Sequence, residues 1–110
     1  MLSISQADLE IIRIAKNELL LGIITKDEEV ALTVADSVRI PGHREWLRRA
    51  AIPDRDVVGA FSVHVKNGQI RWLYPNSALN PADNGLLRDD LRVQVLALLP
   101  LAPDLEELRG

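Results

Sequence analysis

The residues with the clearest chemical potential are two histidines and a group of cations in the middle of the chain. His43 and His64 both lie in residues 39–71, a segment with seven basic and three acidic side chains. A histidine can carry a proton near neutral pH, and guanidinium or ammonium groups can hold a phosphate. The set is sufficient for metal-independent RNA cleavage, with His64, His43 and Arg71 as catalytic candidates. The binding candidates are Arg44, Arg48, Arg49, Lys66 and Ser62.

Other chemistries lack their motifs. The chain has no cysteine, which excludes disulfides, thiolate nucleophiles and cysteine-ligated metals. Two isolated histidines fit no zinc or iron pattern, and there is no P-loop, G-x-G-x-x-G, G-x-S-x-G or H-E-x-x-H sequence. We therefore expect no metal and no cofactor, and the balance favours a protein that is not an enzyme.

Composition and charge limit the class of protein. The chain has 110 residues and a net charge of −3, with 47% hydrophobic and 26% charged residues, which is typical of one globular domain over 1–110. The N-terminal residues lack the features of a signal peptide and no long apolar run exists, so we expect a soluble, cytoplasmic protein without membrane contact. Acidic flanks surround the basic middle, which either pairs with them or forms a local anion-facing patch.

The sequence FSVHVKNGQIRWLY predicts a β-hairpin over residues 61–74. Asn67 and Gly68 favour a type I′ turn, which fixes the pairing of the two strands. In a regular register His64 faces Arg71 on a polar surface. The predicted apolar face contains Phe61, Val63, Val65, Ile70, Trp72 and Tyr74, and the predicted polar face contains Ser62, His64, Lys66, Gln69, Arg71 and Leu73.

Helices must pack on this hairpin, because two strands alone are marginally stable. A capping box at Ser5 predicts a helix over 6–21, with Gly22 just after its end. A second capping box at Thr25 predicts a helix over 26–38, although a strand over 30–34 stays open. Further helices are expected at 43–52 and 86–99, the latter capped by Asn84 or Asp83, with a terminal turn at 104–109 and a loosely held end over 101–110. The expected class is α+β: N-terminal helices, a central antiparallel hairpin or small sheet, and a C-terminal helix.

Two functions follow from this reading. The first is a small protein-binding module of the immunity, antitoxin or inhibitor kind, of bacterial or phage origin, with a homodimer left open. The second is a domain that binds nucleic acid through residues 39–71 or cleaves RNA at the face of His64 and Arg71. The order of three helices and a hairpin over about residues 6–74 also resembles a winged helix-turn-helix, which implies that the basic third helix lies in the major groove and that the turn at 66–68 is the wing.

Overall fold

The computed structural model describes residues 1–82 and 84–108, and within them it confirms the α+β class. The elements are β1 (Ser3–Ile4), α1 (Gln6–Ile14), β2 (Asn17–Thr25), β3 (Glu29–Val34), α2 (His43–Ala50), a 3-10 turn (Asp54–Asp56), β4 (Val57–Lys66), β5 (Gln69–Tyr74), α3 (Asp89–Leu98) and β6 (Leu101–Glu107). The six strands form one mixed sheet in the order β1-β3-β2-β4-β5-β6. The two end strands run parallel to their neighbours, and the inner pairs are antiparallel.

The two faces of the sheet are covered unequally. The first face packs against α1 and α3, and its core includes Phe61, Ile12 and Val95, which are fully buried. On the second face, α2 places Trp46 and Leu47 over the middle strands, in contact with Leu21, Ile23 and Ala60. Burying a side chain of this size contributes about 1.5–3 kcal/mol, so α2 is firmly held. The rest of the second face has no helix over it among the described residues.

The predicted first helix is correct at its start and wrong at its end. Ser5 caps α1 as predicted, with its Oγ accepting a hydrogen bond from the backbone N–H of Asp8 at 3.1 Å. The helix ends at Ile14, and the apolar run that follows becomes β2, the third strand in the sheet. A strand covered on both faces has a continuous apolar sequence that resembles a helix segment. Gly22 is therefore in mid-strand rather than after a helix, and a Cβ there would lie 2.3 Å from the ring of Phe61.

The predicted second helix is wrong, and the strand left open at 30–34 is correct. Thr25 and Glu28 belong to a tight turn between β2 and β3, where Glu28 has a φ of 64°. The β-branched residues that follow fit a strand better than a helix. With a strand in the second position, the chain has no helix-turn-helix, so the winged-helix resemblance is wrong.

The predicted hairpin is confirmed, and its predicted register is wrong beyond the first two pairs. Asn67 and Gly68 have φ values of 51° and 77°, as the predicted turn requires. Arg71 is an extra residue in β5, so His64 pairs with Trp72 instead of Arg71. This β-bulge exchanges the faces of the residues that follow it. Trp72 and Tyr74 therefore leave the core face, and Leu73 enters it and is fully buried.

The C-terminal part ends in a strand. The third and fourth predicted helices correspond to α2 and α3, but α3 begins after Arg88 and no side chain caps it, so Asn84 is not the predicted cap. Asp83, Arg109 and Gly110 lie outside the described residues. The turn expected at 104–109 is wrong, because residues 101–107 pair with β5 as strand β6.

Candidate functional site

The uncovered part of the second face forms a continuous surface around the hairpin. Its side chains lie in three rows that cross the strands. The middle row is Leu19, His64 and Trp72, and the outer rows are Asn17, Lys66 and Gln69 on one side and Ser62 and Tyr74 on the other. We call this surface the open face, and define it by Asn17, Leu19, Ser62, His64, Lys66, Gln69, Trp72 and Tyr74. Leu19 is 43% exposed although it lies in a central strand. Apolar and aromatic groups that would suit a core are thus presented to solvent here.

A pocket lies at one end of the open face. It has a volume of about 370 Å³ and is lined by Leu19, Ser62, Tyr74 and Asn76. Its lining combines an apolar side chain and an aromatic ring with hydroxyl and amide groups, and it contains no charged side chain. Pockets of this size and character accept apolar groups, with a few polar atoms that fix orientation.

An asparagine holds the loop that completes this pocket. Asn80 is only 5% exposed, and its Oδ1 accepts a hydrogen bond from the N–H of Ala60 at 2.7 Å. Its Nδ2 donates to the carbonyl oxygens of Ala60, Pro75 and Gly85 at 2.8–3.1 Å. β5 ends at Tyr74, so no residue of that strand pairs with Ala60. The side-chain amide of Asn80 replaces the missing peptide group and bonds both the N–H and the carbonyl oxygen of Ala60. It thereby fixes the chain on both sides of the loop next to the pocket.

His64 occupies the centre of the open face. Its Nε2 donates a hydrogen bond to Oδ1 of Asn17 at 2.6 Å, and its ring centroid lies 4.8 Å from that of Trp72. The Nδ1 atom is buried and has no hydrogen-bond partner among the described residues. Trp72 in turn meets the edge of Tyr74 at 6.5 Å. The three rings form an aromatic cluster whose central imidazole is held in place by packing and one hydrogen bond.

His43 lies elsewhere on the second face. It begins α2, as predicted, and its Nε2 lies 3.1 Å from the carbonyl oxygen of Gly22 and 2.8 Å from that of Phe61, so one N–H is shared between two acceptors. Burial lowers the pKa of His43, and the two carbonyl contacts only partly oppose this effect. Phe61 is three residues from His64 along β4, which is roughly 10 Å. The structure therefore does not bring the two histidines together.

Most of the candidate cations are paired with acids. On α2, Arg48 and Arg49 both bind Glu45, and the hydrogen bond from Arg48 lowers the pKa of Glu45 to about 2. Arg44 binds Asp54 at 3.2 Å. These pairs offset part of the positive charge of the basic middle segment, with the single carboxylate of Glu45 shared by two arginines.

The two candidate cations of the hairpin, Arg71 and Lys66, differ from each other in whether they form an ion pair. Arg71, at the bulge, binds Asp104 of β6 at 2.9 Å and does not adjoin His64. Lys66 is exposed at the end of β4 and forms no ion pair with any described residue. Lys66 is therefore the one formal charge among the eight residues of the open face when the histidine is neutral.

Sequence reasoning placed some of these residues in the wrong environment. It assigned Trp72 and Tyr74 to the core and Leu19 to a helix. A signal was present in the hairpin, because a regular register placed Leu73 alone among polar residues. If Arg71 is left unpaired as an extra residue, Leu73 moves to the core face, and Trp72 and Tyr74 move to the opposite face.

Neither metal ligation nor a membrane span is found in the described part of the chain. No group of three or more histidine, cysteine or acidic residues could hold a metal ion there. None of the helices in residues 1–82 and 84–108 is long and apolar enough to cross a membrane. Comparison with protein-family models, curated proteins and solved structures found no match to this chain.

Proposed function

We propose that this protein is a non-enzymatic binding module, of the immunity, antitoxin or inhibitor kind, that holds another protein against its open face. The observation that carries the proposal is the exposure of Leu19, together with the half-buried rings of Trp72 and Tyr74, on an uncovered part of the sheet. Tryptophan and tyrosine are enriched where binding energy is concentrated in interfaces, because each offers a large rigid surface with one polar group. A partner would bury this surface as α2 buries the adjacent one.

The state of the titratable groups also supports binding over catalysis. His43 is engaged by two backbone carbonyls, and His64 is held by Asn17 and packed against Trp72. A general base needs a nitrogen that the substrate can reach. The Nε2 atom of each ring is engaged, and the Nδ1 atom of His64 is buried. The arrangement of these two rings instead resembles the supporting contacts of a rigid recognition surface.

The test is to compare an open-face variant with a variant of equal character elsewhere. Trp72→Ser removes the largest ring of the open face, which is half-buried, and Val93→Ser changes an apolar side chain on α3 that is 57% exposed. The partner is first captured by crosslinking in the source cells, and its affinity for each purified variant is then measured. We expect Trp72→Ser to weaken binding by at least about 30-fold and Val93→Ser to have little effect, as for an interface hot spot. Equal affinities for both variants would exclude the open face.

Nucleic-acid binding remains a second candidate, because the rings of Trp72 and Tyr74 could stack on unpaired bases next to Lys66. Pairing of the arginines with acids and the acidic total charge weaken this candidate. Single-stranded RNA and DNA should be tested at about 50 mM salt, where cation-driven binding is strongest. Absence of both a shift and cleavage removes the candidate. If cleavage occurs, His64→Ala should abolish it without loss of folding.

A further inference from the structure

We infer that the open face recognises an extended acidic and apolar segment, with an apolar side chain in the pocket and a carboxylate at Lys66. This inference rests on the proposed function and names the chemistry of the partner. None of the eight residues of the open face is acidic, and Lys66 has no ion pair among the described residues. The open face is therefore locally positive on a protein whose net charge is −3.

The neighbouring charges strengthen this contrast. Arg71 is paired with Asp104, and the three arginines of α2 are paired with the two carboxylates of Glu45 and Asp54. Outside the open face, the remaining net charge of −4, which is the total of −3 without the single positive charge of Lys66, repels an acidic ligand. Within the open face, Lys66 is therefore the cation that a carboxylate can approach without displacing an existing partner.

The spacing along β4 fits an extended ligand. Ser62, His64 and Lys66 lie on the same face at intervals of two residues, each roughly 6.7 Å. An extended segment lying along this strand repeats its side chains at the same interval. Its apolar side chain can enter the pocket beside Ser62 while a side chain four residues away reaches Lys66. The side chain between them would lie over His64 and Trp72.

The mode of contact follows from the position of these strands. β2, β4 and β5 have strand neighbours on both sides, so their backbone groups are already paired. The ligand therefore binds through side chains on the face of the sheet, and not by adding a strand to an edge. Two neutral or apolar contacts and one ion pair predict weak binding by a short peptide and tighter binding by a complete partner.

The test uses three seven-residue peptides titrated into the ¹⁵N-labelled protein. The first has phenylalanine in its second place, glutamate in its sixth and serine or threonine elsewhere. The second replaces glutamate with lysine, and the third replaces phenylalanine with alanine. We expect amide shifts at Leu19, Ser62 and Tyr74 with the first peptide, and about fivefold or greater weakening with each replacement.

Two charge variants locate the carboxylate. Lys66→Gln should remove the preference for glutamate over lysine, whereas Lys26→Gln, which changes the net charge equally at a distant exposed site, should retain it. The preference should also fall at about 0.5 M salt, because exposed ion pairs are screened.

The outcomes separate this inference from the proposed function. Equal binding of the glutamate and lysine peptides at the open face would overturn the inference and leave a protein-binding surface in place. If no peptide shifts these amides, while a single-stranded oligouridylate does so with steep salt dependence, both proposals fail and the nucleic-acid candidate replaces them. Absence of shifts with every probe would also overturn the inference.

Discussion

At the scale of single residues, Asn80 shows how one polar side chain can replace backbone structure. Pro75 follows the last residue of β5, and a proline has no N–H to continue a strand ladder. Ala60, opposite this break, would be left with both of its outward polar groups unpaired. The Asn80 amide supplies a donor and an acceptor at this point, and it also binds the two ends of the loop.

We therefore expect Asn80→Ala to lower the free energy of unfolding by about 3 kcal/mol, because it leaves several buried backbone groups without partners. Asn80→Asp should be at least as destabilising at neutral pH, because a carboxylate keeps the acceptor but cannot donate to three carbonyl oxygens. Asn84→Ala is the control, since Asn84 is exposed in the same loop and makes one bond to Leu86. Urea unfolding gives the free energy of unfolding of each of the three variants. Equal losses for Asn80→Ala and Asn84→Ala would contradict this role.

At the scale of elements, the β-bulge at Arg71 decides which residues reach the surface. Ile70 and Leu73 both face the core although they are three positions apart, which regular alternation forbids. The extra residue restores the alternation for Leu73 and turns Trp72 outward next to His64. The open face therefore depends on the local geometry of one residue in β5.

Deleting Arg71 tests this reading. The remaining residues can then alternate without a bulge, and Trp72 would still pair with His64. We expect a folded protein that loses at most about 2 kcal/mol, including a surface ion pair with Asp104 that is worth under about 1 kcal/mol. Deleting Leu73 instead should unfold the chain, because the aromatic ring of Tyr74 would be forced into the core.

The measurement combines urea unfolding with acrylamide quenching in a Trp46→Phe background, so that Trp72 alone is observed. Deletion of Arg71 should leave Trp72 as accessible to the quencher as before. If Trp72 becomes protected, the deletion has turned it inward and the bulge does not act as described.

The elements also show what could be predicted from the sequence. Strong local signals were sufficient for the Asn67–Gly68 turn, the Ser5 cap and the positions of α2 and α3. The run NELLLGII was misread because a strand buried on both faces has no period of two. One of its partners, β4, is distant in sequence, and pairing of that kind is a tertiary effect. The bulge depends on which packing best fills the core, so the open face could not be derived from the turn alone.

At the scale of the whole molecule, pH links one buried group to stability. Acids with lowered pKa values, such as Glu45 and Asp36, contribute stability that is lost only well below neutral pH. Asp8 has a raised pKa, chiefly from burial, and its contribution has the opposite sign and lies in the acid range. His43 is the described group with a resolved shift that acts nearest to neutrality.

The sign for His43 follows from its lowered pKa. Below its ordinary pKa of 6.5, the unfolded chain takes up a proton that the folded protein resists, because charging His43 would bury an ion. The stability associated with neutral His43 is therefore complete above this value and is lost as the pH falls through the folded pKa. The loss cannot exceed about 1.4 kcal/mol per pH unit for one proton.

We expect urea unfolding to show lower stability at about pH 5.5 than at about pH 7.5. His43→Gln should remove most of this difference, because a glutamine amide can donate to the carbonyls of Gly22 and Phe61 and does not titrate. His64→Gln is the matched control and should retain the difference. If His43→Gln keeps the full pH dependence, the buried imidazole is not its source. If His43→Gln removes the pH dependence, protonation of His43 is its source, and the attachment of α2 to the sheet weakens in acid.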